Sequence, residues 1–89
     1  FDTLDDALRM SNACANGLQG GVITRDMKKA LKVATVMECG AVVVNGSGNY
    51  RFDHQPFGGH KKSGTGHEGV SRTLEEMSQI KTVVFKKQL

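Results

Sequence analysis

Three consecutive valines, Val42 to Val44, set between Gly40-Ala41 and Asn45-Gly46, restrict this chain more than any other feature. A β-branched run bounded by glycine is the composition of a strand buried on both faces, as in parallel sheets. A parallel strand needs a crossover from its neighbour, and the preceding residues supply a helical one. Met27, Ala30, Leu31, Ala34 and Met37 fall on one face at helical spacing, with Thr24 as cap, Asp26 in the first turn and Gly40 as the stop. Lys28, Lys29 and Lys32 fall off that face, on a solvated side. Upstream, Leu18 to Ile23 reads as a short strand, weakened by Gly20 and Gly21 but favoured by the β-branched Val22, Ile23 and Thr24. Strand, helix and strand make a βαβ unit, right-handed by the usual rule. The loop after its second strand is then expected at the carboxyl edge of the sheet, where α/β proteins place ligands.

Ahead of this unit, Thr3 with Asp5 and Asp6 makes a helix start: a hydroxyl cap, then acids that suit the positive end of the helix dipole. Leu4, Ala7, Leu8 and Ser11 share a face and Asn16-Gly17 supplies the stop, which predicts a helix from Leu4 to Ala15. Behind the unit, a loop from Gly46 to about Glu68 holds Tyr50, Phe52 and Phe57. With the helix-opening Gly69 it carries seven of the 11 glycines. A loop this long is uncommon in a compact domain unless it is functional or disordered, and aromatics among glycines favour an ordered functional loop. A third helix is expected from Gly69 to Gln79, burying Val70, Thr73, Leu74 and Met77, with Glu75 and Glu76 facing water. Thr82 to Phe85 then reads as a strand guarded by Lys81, Lys86 and Lys87, an edge ready to pair with another chain's sheet. The expected class is α/β, in the order α-β-α-β-loop-α-β.

Several functions are excluded by composition. The length of 89 residues allows only a small core, with about 60–65% of the unfolded surface buried, and leaves little room for an independent enzyme. No apolar stretch exceeds Ala41 to Val44, so no membrane span is expected. With Phe1 first and no leader-like segment, the sequence reads as a piece of a longer chain. The net charge of +3 comes from residues 41–89, without a basic stripe interleaved with aromatics, so nucleic acid is not an expected partner. The 2 cysteines make no disulfide framework; Cys14 among alanines and Cys39 beside Gly40 both read as small buried fillers. His54, His60 and His67 lack the spacing of metal ligands, and no metal is expected.

Two local features keep more than one reading. Gly64-Thr65-Gly66-His67-Glu68-Gly69 matches GxGxxG, but it follows Lys61-Lys62-Ser63 in place of a strand and no acid answers it about 20 residues later. As a dinucleotide fingerprint it is weak, and a small phosphate-binding domain built on it ranks last. Arg51, between Tyr50 and Phe52, is either a bidentate holder of a carboxylate or phosphate or a surface arginine paired with Asp53.

Val43-Val44-Asn45, followed by Pro56-Phe57-Gly58-Gly59-His60-Lys61-Lys62-Ser63-Gly64-Thr65-Gly66-His67-Glu68-Gly69, resembles the carboxyl-terminal signature of the aldehyde dehydrogenase superfamily. There the pattern is V-N, a variable loop, then P-F-G-G-x-K-x-S-G-x-G-x-E-G. The likeness extends upstream to Asp5, Ala7, Asn12 and Gly17-Leu18, and downstream to Lys81-Thr82-Val83-Val84. His67 departs from it, since the family usually places arginine there.

The resemblance implies the last portion of a longer cytoplasmic enzyme, dependent on NAD or NADP, that oxidises an aldehyde to a carboxylic acid. Such an enzyme works by thiolate attack, hydride transfer and thioester hydrolysis. The family's catalytic cysteine, general base, oxyanion-hole asparagine and most cofactor-binding residues precede the matched stretch, and neither Cys14 nor Cys39 fits the cysteine's context. No catalytic residue is therefore assigned, and the piece alone is expected to be inactive and to hold no cofactor. Phe57 matches the ring that lines the aldehyde tunnel. Tyr50 to Gln55, with Arg51, Phe52 and His54, matches the loop that shapes its mouth. Asn45, Pro56, Gly58, Gly59, Lys61, Ser63, Gly64, Gly66, Glu68 and Gly69 match structural positions of the motif. Thr82, Val83, Val84 and Phe85 resemble the terminal oligomerisation strand, which implies a homodimer or homotetramer and divides the chain into a catalytic-domain part, 1–80, and that strand, 81–89. The Tyr50-to-Phe57 run is similar to the branch acting on lactaldehyde, phosphonoacetaldehyde or glyceraldehyde 3-phosphate, in which an arginine of this loop holds the phosphate, the part expected of Arg51. The alternative is a freestanding assembly or binding module without catalysis.

Overall fold

A computed structural model describes residues 1–87. Its element order is α1 (Leu4–Asn12), β1 (Asn16–Gly17), β2 (Gln19–Val22), α2 (Met27–Val36), β3 (Ala41–Val44), β4 (His60–Lys61) and α3 (Val70–Glu76). Helix α1 begins as its sequence predicts: the Thr3 hydroxyl accepts from the Asp6 amide at 3.1 Å. It ends three residues before the expected Ala15, because Asn12 turns its side chain to the end of α2. Asn12 Nδ2 donates to the Val36 carbonyl at 2.8 Å, and Asn12 Oδ1 accepts from the Glu38 amide at 2.9 Å. The cap of α2 is Asp26, whose Oδ1 accepts from the Lys28 and Lys29 amides at 2.9 and 3.3 Å. Thr24, the expected cap, acts one step earlier and accepts from the Asp26 amide at 3.0 Å. Asp26 wins because its longer side chain reaches over the first turn from the residue adjoining it.

The βαβ unit forms as expected. Strands β2 and β3 pair in parallel, in the register Gln19 to Ala41, Gly20 to Val42, Gly21 to Val43 and Val22 to Val44. Helix α2 packs on β3, and Leu8, Ala30 and Val33 form the buried core. The buried face of α2 is narrower than its periodicity suggests: Met27 and Leu31 are 68% and 60% exposed, while Val33 is 2% exposed. The valine strand is not buried on both faces. Ala41, Val42 and Val43 are half-buried and Val44 is exposed, because the sheet has two strands and one helix packed against β3. Lys32, expected on a solvated side, crosses to Asp5 of α1 at 2.5 Å; both side chains are well exposed, so the pair contributes at most about 1 kcal/mol.

Downstream the expectations fail in one direction. Helix α3 covers Val70–Glu76, shorter than Gly69 to Gln79, and it buries nothing. Val70, Leu74 and Met77 are exposed, as is Thr73. Residues 78–87 form no helix or strand, so the strand expected at Thr82 to Phe85 is not formed among the described residues. A strand needs a neighbour to share its ladder, and the described residues bring none to it. Gln88 and Leu89, the end of the expected 81–89 strand, lie outside the described residues. The consequence is visible in the dimensions. The radius of gyration is 19.2 Å, against about 12 Å for a compact chain of this length. The accessible surface is 7665 Å², about 1.5 times that of a compact protein of this mass. Among the described residues no helix is long and apolar enough to cross a membrane.

Candidate functional site

The loop that leaves β3 turns at once. Asn45 adopts a left-handed φ of 58°, its amide donates to the Val22 carbonyl at 2.6 Å, and its Oδ1 accepts from the Thr24 amide at 2.9 Å. One asparagine therefore ties the ends of both parallel strands. The chain then folds back along β2 toward the amino end of the sheet. Glycines permit this close approach: a Cβ on Gly21 would stand 2.6 Å from the Gly46 carbonyl oxygen, and one on Gly48 would stand 3.1 Å from that of Gln19. Gly21, which weakens β2 as a strand, is what lets the loop backbone cross it, whereas Gly20 faces the Met37 and Cys39 side chains.

This path corrects the expected location. Tyr50 to Gly58 lies at the amino end of the parallel strands, not at the carboxyl edge. The Tyr50 carbonyl accepts from Nε2 of Gln19, the first residue of β2, at 2.6 Å. A Cβ on Gly40, just before β3, would collide with the Gly58 carbonyl oxygen.

Within the loop the aromatic residues meet in pairs. Tyr50 and Phe52 make an edge-to-face contact with centroids 5.1 Å apart and an interplanar angle of 84°. Arg51 places its guanidinium carbon 4.2 Å from the centre of the Phe57 ring, a cation–π contact. Among the described residues no ion pair joins Arg51 to Asp53. Stacking leaves the edge of the guanidinium, where its donors lie, free for a planar anion. Phe57 is fixed through its backbone: its amide donates to the Glu68 carbonyl at 2.8 Å, and the Glu68 amide donates back at 2.5 Å. His54 stands apart from this cluster and lines a cleft of about 380 Å³ with Asp53, Pro56, Gly69 and Arg72.

The structural residues of the motif hold this loop to the sheet. His60 and Lys61 form β4, antiparallel to β1, in the register Asn16 to Lys61 and Gly17 to His60. Ser63 Oγ accepts from the Gly17 amide at 2.9 Å, and the Lys62 amide donates to the Ala15 carbonyl at 3.1 Å. Lys61 Nζ reaches the Asn12 carbonyl at 2.7 Å, the Cys14 carbonyl at 3.2 Å and the Glu38 carboxylate at 2.7 Å. Sequence reasoning missed Gln19 and Glu38 and gave Asn12 no role beyond the family likeness, because their partners stand 24 to 49 residues away.

The remaining candidates resolve simply. Gly64, Gly66 and Gly69 have φ of 139°, 74° and 146°, so the GxGxxG stretch is a looped turn. Gly59 packs on Ser63, and Gly58 on Gly66, whose carbonyl oxygen a Cβ at 58 would strike. The turn therefore backs onto the Phe57 loop, and α3 starts after it with no side-chain cap. Nothing in it offers the strand-to-helix cradle that a pyrophosphate needs. Cys14 is exposed, contrary to the buried filler expected, since α1 has already ended at Asn12; Cys39 is half-buried and its thiol donates to the Ala41 carbonyl at 3.1 Å. Among the described residues no group of three or more His, Cys, Asp or Glu side chains could hold a metal ion.

Comparison with known proteins gives a consistent answer. A sequence profile described as "Aldehyde dehydrogenase family" matches residues 1–83. The chain is similar to lactaldehyde dehydrogenase of Methanococcus vannielii, 50% identical over 81 residues, which covers 91% of this chain and 17% of that protein. It is similar to 3-sulfolactaldehyde dehydrogenase of Priestia megaterium, 40% identical over 85 residues, with coverages of 96% and 18%. Among solved structures it is similar to glyceraldehyde-3-phosphate dehydrogenase from Methanocaldococcus jannaschii complexed with NADP, at a TM-score of 0.85 and 44% identity, covering 93% of this chain and 18% of that one. The chain thus spans about a sixth of the length of the curated relatives it matches. Because a Cβ at position 40 would strike the Gly58 carbonyl, Gly40→Ala should destabilise the chain by about 1–3 kcal/mol, the usual cost of overpacking. Chemical denaturation checks this, and a midpoint equal to that of the unaltered chain would count against the contact with Gly58.

Proposed function

The chain belongs to the aldehyde dehydrogenase family, and from that premise we propose that it supplies the mouth and one wall of the substrate tunnel in a longer cytoplasmic enzyme. That enzyme oxidises an aldehyde to a carboxylic acid with NAD or NADP as acceptor. The observation that carries this reading is the Arg51 guanidinium stacked 4.2 Å above the Phe57 ring, with Tyr50 and Phe52 beside it in sequence. An apolar wall next to an oriented cation suits a small aldehyde with an anionic end, held so that its carbonyl points away from the cation.

The names of the relatives agree on more than the aldehyde. Lactaldehyde, 3-sulfolactaldehyde and glyceraldehyde 3-phosphate are all three-carbon 2-hydroxyaldehydes, differing at carbon 3, where they carry hydrogen, sulfonate or phosphate. The substrate class proposed for this chain is a three-carbon 2-hydroxyaldehyde, and the oriented Arg51 cation favours those with an anionic group at carbon 3. Arg51 binds that group, Phe57 walls the carbon chain, and Tyr50 and Phe52 line the approach. The nicotinamide cofactor supplies the hydride acceptor. It is bound by residues outside this chain, because the Gly64-to-Gly69 turn does not fit a dinucleotide, whereas a related structure is complexed with NADP. The nucleophile is assigned outside this chain as well: Cys14 Sγ accepts only from the Asn16 amide and Cys39 Sγ donates to the Ala41 carbonyl among the described residues.

Residues 1–80 belong to the catalytic-domain part, and the 81–89 segment is the one through which subunits of a homodimer or homotetramer pair, becoming a strand only against its neighbour. The support for pairing is chemical: Val84 and Phe85 are 79% and 94% exposed, and no backbone hydrogen bond beyond that from Ser78 to Glu75 engages the described residues of the tail.

Three outcomes are expected. In the full-length enzyme, Arg51→Ala should lower the kcat/KM preference for glyceraldehyde 3-phosphate over lactaldehyde by about 10- to 100-fold, the worth of a charged hydrogen-bonded pair; an unchanged preference would defeat the anion reading. The purified 89-residue chain should form no NAD(P)H with either aldehyde, and detectable formation would show that it is complete as a catalyst. Val84→Pro removes a ladder donor and should shift the full-length enzyme to a smaller species in sedimentation. An unaltered sedimentation coefficient would dispose of the pairing strand.

A further inference from the structure

Gln19 belongs to none of the motif positions, yet its side chain holds the mouth loop. Its Nε2 donates to the Tyr50 carbonyl at 2.6 Å, across 31 residues of sequence. Its backbone is fixed first, because Gln19 opens β2 in register with Ala41 of β3. Its own carbonyl oxygen lies against Gly48, where a Cβ would come within 3.1 Å. The loop is thus gripped twice from one strand residue, by packing at Gly48 and by a hydrogen bond at Tyr50.

The second grip bears on specificity. The Tyr50 carbonyl belongs to the peptide group that enters Arg51, so its orientation sets the direction in which the Arg51 side chain departs. That side chain ends with its guanidinium 4.2 Å above the Phe57 ring, and the edge-to-face contact of Tyr50 with Phe52 brackets the same peptide. We infer that Gln19 is a positioning residue for substrate specificity: by fixing the Tyr50–Arg51 peptide it aims the guanidinium at the anionic group on carbon 3 of the aldehyde. This rests on the assignment of Arg51 as the anion holder. Gln19 itself touches neither substrate nor reacting atoms. Its short, neutral hydrogen bond acts before substrate arrives, so that Arg51 need not be ordered on binding.

The test uses the full-length enzyme carrying this segment, with Gln19→Met, which keeps the length of the side chain and removes the donor. Gln19→Leu serves as a second variant should the first fold poorly. With glyceraldehyde 3-phosphate, KM should rise about 3- to 10-fold, the range expected for one neutral hydrogen bond. Its kcat, and both constants for lactaldehyde, should stay within about twofold. The double variant with Arg51→Ala should show the same preference as Arg51→Ala alone, because Gln19 acts only through Arg51. A Gln19→Met effect that adds to that of Arg51→Ala, an equal rise of KM for both aldehydes, or no effect at all, would each overturn the positioning role while leaving the anion reading standing. If Arg51→Ala itself leaves the preference intact, the anion reading fails first and the role of Gln19 goes with it.

Discussion

One cation joins the site loop to the rest of the molecule. Lys61 Nζ binds the carbonyls of Asn12 and Cys14, where α1 ends, and the carboxylate of Glu38, where α2 has ended. The free carbonyls at a helix terminus carry partial negative charge, so an ammonium there satisfies both charge and hydrogen bonding. Its side chain is 25% exposed, less than the 46% of Lys32, although the 56% exposure of Glu38 limits that ion pair to at most about 1 kcal/mol. Asn12 completes the junction by bonding the carbonyl of Val36 and the amide of Glu38. Lys61 holds its own backbone in a left-handed conformation within β4, so the same residue turns the loop and anchors it.

Everything proposed for the mouth loop follows from where this junction and the glycines place it. Parallel sheets in α/β proteins present ligand sites at the carboxyl edge, and the loop does begin there. Yet Gly21 and Gly48 let it return along β2, so that Tyr50, Arg51 and Phe57 collect at the amino end beside Gln19 and Gly40. Small residues inside a strand are a weakness when the strand is considered alone and an asset when a backbone must cross it.

The amino-terminal half and the loop are well knit, whereas α3 and the tail are spread on solvent. Val70, Leu74 and Met77 keep the helical spacing of a buried face, and the helix is seen, but nothing packs on that face. Periodicity states which side of a helix is apolar; it does not state what covers it. The same holds for the tail, where Val83, Val84 and Phe85 are β-formers without a strand beside them. Surface of this kind suits association, which is why subunit pairing enters the functional proposal.

Local chemistry was legible from the residues alone. The Thr3 cap, the separate elements of the βαβ unit, the glycine-rich loop and the motif from Pro56 to Gly69 each depend on neighbours within a few positions, and sequence shows neighbours directly. The tertiary structure decided what depends on distance along the chain: that Asn12 ends α1, that Lys61 spans 47 and 49 residues to reach α1, and that Gln19 holds Tyr50. It also decided that Arg51 stacks on Phe57 in preference to pairing with Asp53. Such contacts are selected by the path of the whole backbone, and a pattern read over a few residues carries no record of that path.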